Sequence, residues 1–288
     1  MSDITRVGVI GCGLMGSGIA EVCARAGLEV IVREIDAAAA AAGRDRIQAS
    51  LARAVKAGKL SGPERDAALD RVTVTTELSD LADRHLVIEA ATENPAIKAA
   101  LFAELDRIVK QPEAILATNT SSIPIVQVAR ATSRPAQVVG LHFFNPAPVQ
   151  KLVEVIPSVL TDSLTVERVR GFVTGTLGKT AITAPDRSGF VVNALLVPYL
   201  LAAIRMLEAG HGTADDIDTG MVLGCAHPMG PLRLADLIGL DTLRAVADSM
   251  YEEFKEPLYA APPLLCRMTD AGLLGRKADR GFYEYQQR

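Results

Sequence analysis

The sequence has no surplus of basic residues. Its 30 Lys and Arg residues are outnumbered by 34 Asp and Glu residues, giving a formal net charge of −4 at pH 7. Nucleic-acid-binding surfaces need positive charge to neutralise phosphates. The composition therefore argues against nucleic acid as a partner, while a local basic patch for a phosphorylated substrate is compatible with it.

Cysteine and histidine are scarce, with four residues of each in 288. The cysteines are Cys12, Cys23, Cys225 and Cys266. No two of them form a C-x-x-C pair, and the histidines lie far apart. These spacings argue against a bound metal and against a disulfide framework, so we expect the cysteines to be small core residues and surface thiols.

Long apolar runs are also missing. The longest, residues 191–204, contains Asn193 and Pro198 and is too short to span a bilayer. The first 13 residues carry an early acid and a short apolar run broken by glycines, which predicts a buried strand and its turn rather than a secretory signal. We therefore expect a cytoplasmic protein that does not associate with a membrane.

The first two-thirds of the chain alternates short β-branched runs with longer amphipathic stretches. This pattern predicts an α/β domain of the Rossmann type, a mostly parallel sheet with helices on both faces. Asn94 and Pro95 are expected to begin a helix over residues 97–109. The predicted strands are Val7–Ile10, Val30–Arg33, Val72–Thr75, Leu86–Glu89, Ala114–Ala117, Val138–Phe143, Leu152–Ile156 and Thr180–Thr183.

Residues 36–59 form an Ala-rich, helix-favouring insertion that is long for a crossover helix. We expect it to project from the sheet and to stop at the breaker sequence of residues 61–63. Its two sides differ: the apolar side carries Leu51, Val55 and Leu60, and the basic side carries Arg53, Lys56 and Lys59.

Strand patterns end near Pro185, which predicts a boundary between a domain of residues 1–185 and an all-helical domain of residues 186–288. Helices are expected over residues 190–207, 215–223, 231–236 and 242–254. The first is apolar around most of its circumference, more than a small domain can cover. This predicts a subunit interface that includes Leu200 and Leu201.

A glycine-rich turn follows the first predicted strand, with Gly11, Gly13 and Gly16 in the spacing G-x-G-x-x-G. The glycines permit a tight turn, close approach of a pyrophosphate and close helix–strand packing. The second strand leads to Glu34, whose carboxylate is suited to adenosine-ribose hydroxyls and repels a 2′-phosphate. Glu34 thus favours NAD, whereas the neighbouring Arg33 leaves NADP open.

His142 lies at the end of a predicted strand, at the sheet edge where such folds bind ligands. Alcohol oxidation needs a base for the hydroxyl proton, a task that suits imidazole. Glu154 lies within an apolar strand and needs a partner, because an unpaired buried charge is costly. A His142–Glu154 pair is one interpretation; a structural histidine and a strand-edge glutamate is the other.

Several longer motifs make the sequence closely similar to the 3-hydroxyacyl-CoA dehydrogenases, particularly the single-function 3-hydroxybutyryl-CoA dehydrogenases of bacteria. The similarity covers essentially the whole chain. Its motifs include Gly11-Cys12-Gly13-Leu14-Met15-Gly16, Val87-Ile88-Glu89-Ala90, Asn119-Thr120-Ser121-Ser122, His142-Phe143-Phe144-Asn145-Pro146, Leu152-Val153-Glu154, Gly189-Phe190-Val191-Val192-Asn193, Pro228-Met229-Gly230-Pro231 and Gly281-Phe282-Tyr283.

The resemblance implies a reversible, NAD-dependent oxidation of (S)-3-hydroxyacyl-CoA, of short chain length. It makes His142 the catalytic base and Glu154 its partner. It places Ser121 by the nicotinamide and the substrate oxygens, Asn193 against the substrate from the second domain, and Asn145 among supporting hydrogen bonds. A dehydrogenase of free hydroxy or sugar acids with the same fold, and a non-catalytic NAD-binding protein, are the alternatives.

The resemblance also implies the binding residues and a homodimer formed through residues 186–288. The cofactor residues are Gly11, Gly13, Leu14, Met15, Gly16, Glu34, Glu93, Lys98 and Asn119. The residues implied for the CoA substrate are Ser50, Arg53 and Lys56, besides Ser121 and Asn193, with Lys59 as a further phosphate contact. Three departures from the usual family pattern are Cys12, where Ala is common, Ser188, where Pro is frequent, and Ala194, where Arg is frequent.

Overall fold

The computed structural model describes residues 3–285. An eight-stranded sheet has the strand order β3-β2-β1-β4-β5-β6-β7-β8. Neighbouring strands are parallel except for β6 and β7, which are antiparallel. The strands are β1 (Arg6–Ile10), β2 (Glu29–Arg33), β3 (Val72–Thr75), β4 (Leu86–Glu89), β5 (Ile115–Thr118), β6 (Val138–Phe143), β7 (Leu152–Pro157) and β8 (Thr180–Thr183). The predicted sheet is confirmed, and each predicted strand lies within one residue of the observed one.

Helices cover both faces of this sheet, as predicted. They are α1 (Leu14–Arg25), α2 (Ala37–Lys56), α3 (Gly62–Asp70), α4 (Pro95–Ile108), α5 (Ile125–Ala129) and α6 (Ser163–Gly171). Alternate residues of β6 point to opposite faces. Val139 and Leu141 join the core cluster that contains α1, whereas Gly140 faces Ile125 of α5. His142 follows Gly140 on the α5 side.

Helix α2 packs against the core along its middle, so the expectation that it projects from the sheet is wrong for this part. Asp36 begins the helix by accepting a hydrogen bond from Ala39 N, 2.8 Å away. Ile47 and Leu51 are buried in the same cluster as α1. Gly43 allows the close approach, because a Cβ there would lie 2.5 Å from Cys12 Cβ.

The breaker sequence after α2 begins a second helix, a role that the prediction of a stop missed. Ser61 Oγ accepts a hydrogen bond from Glu64 N, and Glu64 Oε2 accepts one from Ser61 N. This reciprocal pair is a capping box, and Pro63 suits the first turn of α3 because it needs no N–H partner there. The S-x-x-E spacing was the signal that could have identified α3.

The described chain divides into two compact units, one ending at Asp186 and the other beginning at Arg187. The second unit is helical apart from isolated bridges that join Arg280 to Gly275 and to Glu284. Its helices are α7 (Val192–Glu208), α8 (Ala214–Cys225), α9 (Pro231–Ile238), α10 (Leu240–Phe254) and α11 (Pro263–Asp270).

More of the apolar surface of helix α7 is buried within its own unit than the sequence predicted. Leu200 and Leu201 are 0% exposed and belong to a core cluster that includes residues of α9 and α10. The prediction that these two leucines form an exposed interface is therefore wrong. The large apolar residues of α7 that remain exposed are Leu195, at 74%, and Met206, at 47%.

Between residues 3 and 285, no helix combines the length and apolar character needed to cross a membrane. All four cysteines are free thiols; Cys12 and Cys23 are buried, whereas Cys225 is exposed.

Candidate active site

The glycine-rich turn joins β1 to α1 and has the geometry of a pyrophosphate site. Gly11 has a positive φ of 83°, and a Cβ there would lie 2.9 Å from the Ala90 carbonyl oxygen. A Cβ on Gly16 would overlap the Gly11 carbonyl oxygen, whereas Gly13 faces open space. No side chain caps the N-terminus of α1 and its first turn carries no acid. Its N–H groups are thus suited to bind phosphate.

Glu34 closes this turn from the end of β2. Its carboxylate accepts hydrogen bonds from Cys12 N and from Ile35 N. Arg33 Nε donates to the Thr76 carbonyl oxygen, 3.2 Å away, at the end of β3. The turn and the carboxylate beside it therefore fit the pyrophosphate and a ribose of a dinucleotide.

His142 and Glu154 are paired directly across the antiparallel strands β6 and β7. Residues opposite one another in such a ladder point to the same face, with Cβ atoms about 5 Å apart. His142 Nδ1 lies 2.7 Å from Glu154 Oε2, and the residues are 5% and 0% exposed. The partner that a buried carboxylate requires is thus this histidine.

Ser121 faces the other imidazole nitrogen, with its Oγ 3.4 Å from His142 Nε2. Glu93 holds the loop that carries this serine. Its carboxylate accepts hydrogen bonds from Thr120 Oγ1, Ser121 N and Ser122 Oγ. Ser121, His142 and Glu154 are therefore brought together, and the exposed Glu93 contacts the loop that carries Ser121.

A buried ion pair, Lys98 with Glu89, lies next to Glu93 and so contributes to holding the same loop. Lys98 Nζ lies 2.7 and 2.6 Å from the two carboxylate oxygens of Glu89, and Thr118 Oγ1 donates to the same carboxylate. Lys98 also lies 3.4 Å from Glu93. Neither Glu89 nor Thr118 was assigned a role from the sequence, although an acid at the end of an apolar strand was a signal of such a network.

Asn119 links the loop to β6, because its Oδ1 accepts a hydrogen bond from Phe143 N over 2.8 Å. Asn145 is exposed, precedes a cis peptide bond to Pro146, and takes no part in the side-chain hydrogen bonds described for Ser121, His142 and Glu154. Asn193 lies in the first turn of α7, in the second unit.

Three of the residues implied for CoA share helix α2. Ser50, Arg53 and Lys56 recur every three residues near the end of α2; Arg53 and Lys56 are exposed and Ser50 is half-buried. Arg46 on the same helix donates from Nη1 to the Cys12 carbonyl oxygen over 3.0 Å. This basic side of α2 is therefore joined to the dinucleotide turn.

A dinucleotide turn and a buried histidine–carboxylate pair at the same edge of the sheet are the elements of a nicotinamide-dependent dehydrogenase. Comparison with known families agrees with this class. Residues 6–187 match the 3-hydroxyacyl-CoA dehydrogenase NAD binding domain, and residues 189–285 match the 3-hydroxyacyl-CoA dehydrogenase C-terminal domain. The chain belongs to the 3-hydroxyacyl-CoA dehydrogenase family and is an NAD-dependent dehydrogenase.

Individual relatives match along nearly their whole length. A 3-hydroxybutyryl-CoA dehydrogenase of Mycobacterium tuberculosis is 60% identical over 99% of this chain and 100% of the relative. The crystal structure of M. tuberculosis FadB2 has a TM-score of 0.97 at 60% identity, covering 98% and 99% of the two chains. That of (S)-3-hydroxybutyryl-CoA dehydrogenase PaaH1 from Ralstonia eutropha has a TM-score of 0.93 at 44% identity, covering 99% and 100%.

Proposed function

We propose that this protein catalyses the reversible, NAD-dependent oxidation of short-chain (S)-3-hydroxyacyl-CoA, such as 3-hydroxybutyryl-CoA, to the 3-oxoacyl-CoA. The observation that carries this proposal is the 2.7 Å contact between His142 and Glu154, at the sheet edge that also holds the dinucleotide turn. Both relatives with solved structures cited above support it, because one is named for this substrate and both share the fold at 44% identity or more.

The His142 ring is oriented for general base catalysis. The Glu154 carboxylate beside Nδ1 favours the tautomer that carries its proton there, which leaves Nε2 as the proton acceptor. In the oxidative direction Nε2 takes the proton of the substrate 3-hydroxyl. NAD, when bound, would supply the acceptor for the hydride of the carbon that carries this hydroxyl. Glu154 then stabilises the charged ring.

Ser121 and the loop around it orient the substrate. Ser121 Oγ lies 3.4 Å from His142 Nε2, so one substrate oxygen can contact both groups. Glu93 and Lys98 keep this loop in place through the contacts with Thr120, Ser121 and Glu89. Asn193 and Asn145 are proposed as additional polar contacts on the strength of the resemblance alone.

The substrate nucleotide is proposed to lie along α2. The exposed Arg53 and Lys56, with Ser50 on the same helix, supply cations and a hydroxyl for the phosphates of CoA. Glu34 is proposed to select NAD by repelling a 2′-phosphate. Arg33 Nε donates its hydrogen bond to the Thr76 carbonyl oxygen instead of to such a phosphate.

Steady-state kinetics test this function. Acetoacetyl-CoA is compared with longer 3-oxoacyl-CoAs and with free 3-oxo acids, using NADH and NADPH in parallel. We expect the highest kcat/KM with acetoacetyl-CoA and NADH. Higher kcat/KM with free acids would favour the hydroxy-acid or sugar-acid alternative, and lack of turnover with every substrate would favour a non-catalytic NAD-binding protein.

We further propose a homodimer formed through residues 186–288, which we treat as the substrate and dimerisation domain. The exposed Leu195 and Met206 of α7 supply apolar surface for it. An obligate interface would bury at least about 2,000 Å². A cytoplasmic location is also proposed, supported by the four free thiols.

A further inference from the structure

Helix α5, which follows the loop that carries Ser121, has no capping side chain of its own. Its N-cap position is occupied by Pro124, which makes no side-chain hydrogen bond. The first N–H groups of a helix have no partner within the helix, and a proline side chain has no oxygen that could accept from them. The start of α5 therefore needs an acceptor from elsewhere in the chain.

Asp186 supplies this acceptor, although it lies 61 residues after Ile125 in the sequence. Its Oδ1 accepts a hydrogen bond from Ile125 N over 2.7 Å, and its Oδ2 accepts one from Val126 N over 3.0 Å. Hydrogen bonds from backbone N–H groups to a carboxylate are stronger than those to a neutral acceptor. Asp186 thus uses both of its oxygens to fix the first turn of α5.

The loop between Thr120 and α5 is held at both ends by carboxylates. At its beginning, Thr120 Oγ1 and Ser121 N donate to Glu93. At its end, Ile125 N donates to Asp186. Only four residues separate Thr120 from Ile125, so the loop has little freedom to move between these two contacts. The position of the Ser121 hydroxyl therefore depends on both of them.

Asp186 is also the last residue of the first unit. The two residues that follow it are held within the second unit. The guanidinium carbon of Arg187 lies 4.5 Å from the centre of the Phe254 ring. Ser188 N donates a hydrogen bond to Glu253 Oε2 over 2.9 Å. The chain therefore leaves the first unit at the same residue that holds the start of α5.

We propose that Asp186 is a positioning residue for the dehydrogenase reaction. By capping α5, it keeps the Ser121 hydroxyl 3.4 Å from His142 Nε2, where both groups can contact one substrate oxygen. Asp186 acts through Ser121 and is not itself placed against substrate or cofactor. The inference rests on the proposed function, and it adds to that function a positioning residue at the point where the chain passes from one unit to the other.

The test is a double-mutant cycle between Asp186 and Ser121, using the full-length protein with NADH and acetoacetyl-CoA. Because misplacement of an orienting group by about 1 Å can cost about a hundredfold in rate, Asp186→Ala should lower kcat by at least about tenfold. The KM for acetoacetyl-CoA should change by less than about threefold, since the proposed CoA contacts on α2 are untouched. In a Ser121→Ala background, Asp186→Ala should lower kcat by less than about twofold, because the hydroxyl that it positions is already absent.

Asp162→Ala is the matched control. Asp162 caps α6 in the same unit, where its Oδ1 accepts a hydrogen bond from Thr165 N over 2.6 Å. Loss of this cap should lower the melting temperature as loss of the α5 cap does, but leave kcat within about twofold. Asp186→Asn keeps one side-chain oxygen for the two N–H groups, so its kcat should fall by only about threefold. The same cycle can be measured with this variant if Asp186→Ala does not fold.

Either of two results would overturn the inference and leave the proposed function intact. One is an unchanged kcat in folded Asp186→Ala, which would mean that the cap does not position the serine. The other is an equal fractional loss of kcat with and without the Ser121 hydroxyl, which would mean that Asp186 only maintains the fold. Lack of NADH oxidation by the unmodified protein with acetoacetyl-CoA would instead refute the proposed function itself.

Discussion

His142 and Glu154 are opposite one another in the β6–β7 ladder, and their side chains meet at 2.7 Å between Nδ1 and Oε2. The eleven residues between them in sequence contain a chain reversal that places them in register. The pairing is therefore fixed by backbone hydrogen bonds as well as by its own charge. A substitution of either side chain can change the chemistry while the strands keep their positions.

Replacing His142 by Gln should reduce kcat by roughly a hundred- to ten-thousandfold, because the general base is lost. NADH should still bind, since the dinucleotide turn and Glu34 do not contact this side chain in the described interactions. The measurements are kcat with acetoacetyl-CoA and the NADH dissociation constant from nicotinamide fluorescence. Retention of more than a tenth of kcat would contradict the assignment.

Replacing Glu154 by Gln should keep the fold and lower kcat by at least about tenfold, because the amide no longer orients and stabilises the ring as a carboxylate does. The pH dependence of kcat is measured in parallel, and circular dichroism checks the fold. Glu104→Gln, an exposed substitution on α4, is the control. An unchanged kcat together with an unchanged pH profile would mean that the pair is not coupled in catalysis.

Replacing Glu34 by Ala should narrow the preference for NADH over NADPH, measured as the ratio of the two kcat/KM values. The carboxylate that would repel a 2′-phosphate is gone, and the hydrogen bond to Cys12 N is lost with it. Arg33→Gln, made in the otherwise unmodified protein, tests whether Arg33 contributes to the same preference. A preference for NADPH in the unmodified protein would show that Glu34 does not decide the choice.

Charging the exposed face of α7 should disrupt assembly. Leu195→Glu and Met206→Glu are expected to give monomers or aggregates in sedimentation experiments, because a charge would be buried at the proposed interface. Leu164→Glu, on the exposed side of α6 in the first unit, should leave the assembly unchanged. A stable, fully active monomer of the unmodified protein at micromolar concentration would refute the dimer.

The buried thiols should resist alkylation at neutral pH. Burial, and then the charge of Glu34, raise the pKa of Cys12 to about 11, and burial raises that of Cys23 to about 12. Because the thiolate is the reactive form, iodoacetamide should modify the exposed Cys225 first. Peptide mass spectrometry before and after unfolding gives the test, and rapid alkylation of native Cys12 would contradict it.

The strands were predictable from the sequence because a buried parallel strand must be apolar almost throughout, as in β4 and β5. Helix α3 was missed because Gly62 and Pro63 were weighed as breakers, although both are compatible with a helix N-terminus. The exposed side of α7 could not be read from its sequence. Most of its circumference is apolar, and which side is covered depends on α9 and α10.

Part of the site was also predictable from the sequence, because burial of a charged side chain requires a partner. A buried acid signals a partner, so the approach of Glu154 to a histidine could be anticipated, whereas the strand register that creates it could not. The pairing of Glu89 with Lys98 joins a strand end to a helix. It depends on the tertiary packing of that helix and gives no periodic pattern.

The contact of Gly43 with Cys12 has a consequence for how the protein tolerates change. A Cβ at position 43 would lie 2.5 Å from Cys12 Cβ, an atom that Ala at position 12 would retain. Exchange of Cys12 for the more common Ala therefore does not make room for a larger residue at position 43. Any such residue would displace the nucleotide turn and α2 together. A single substitution at position 43 should then change both the affinity for the dinucleotide and the affinity for the thioester. The two affinities cannot be altered independently at this position.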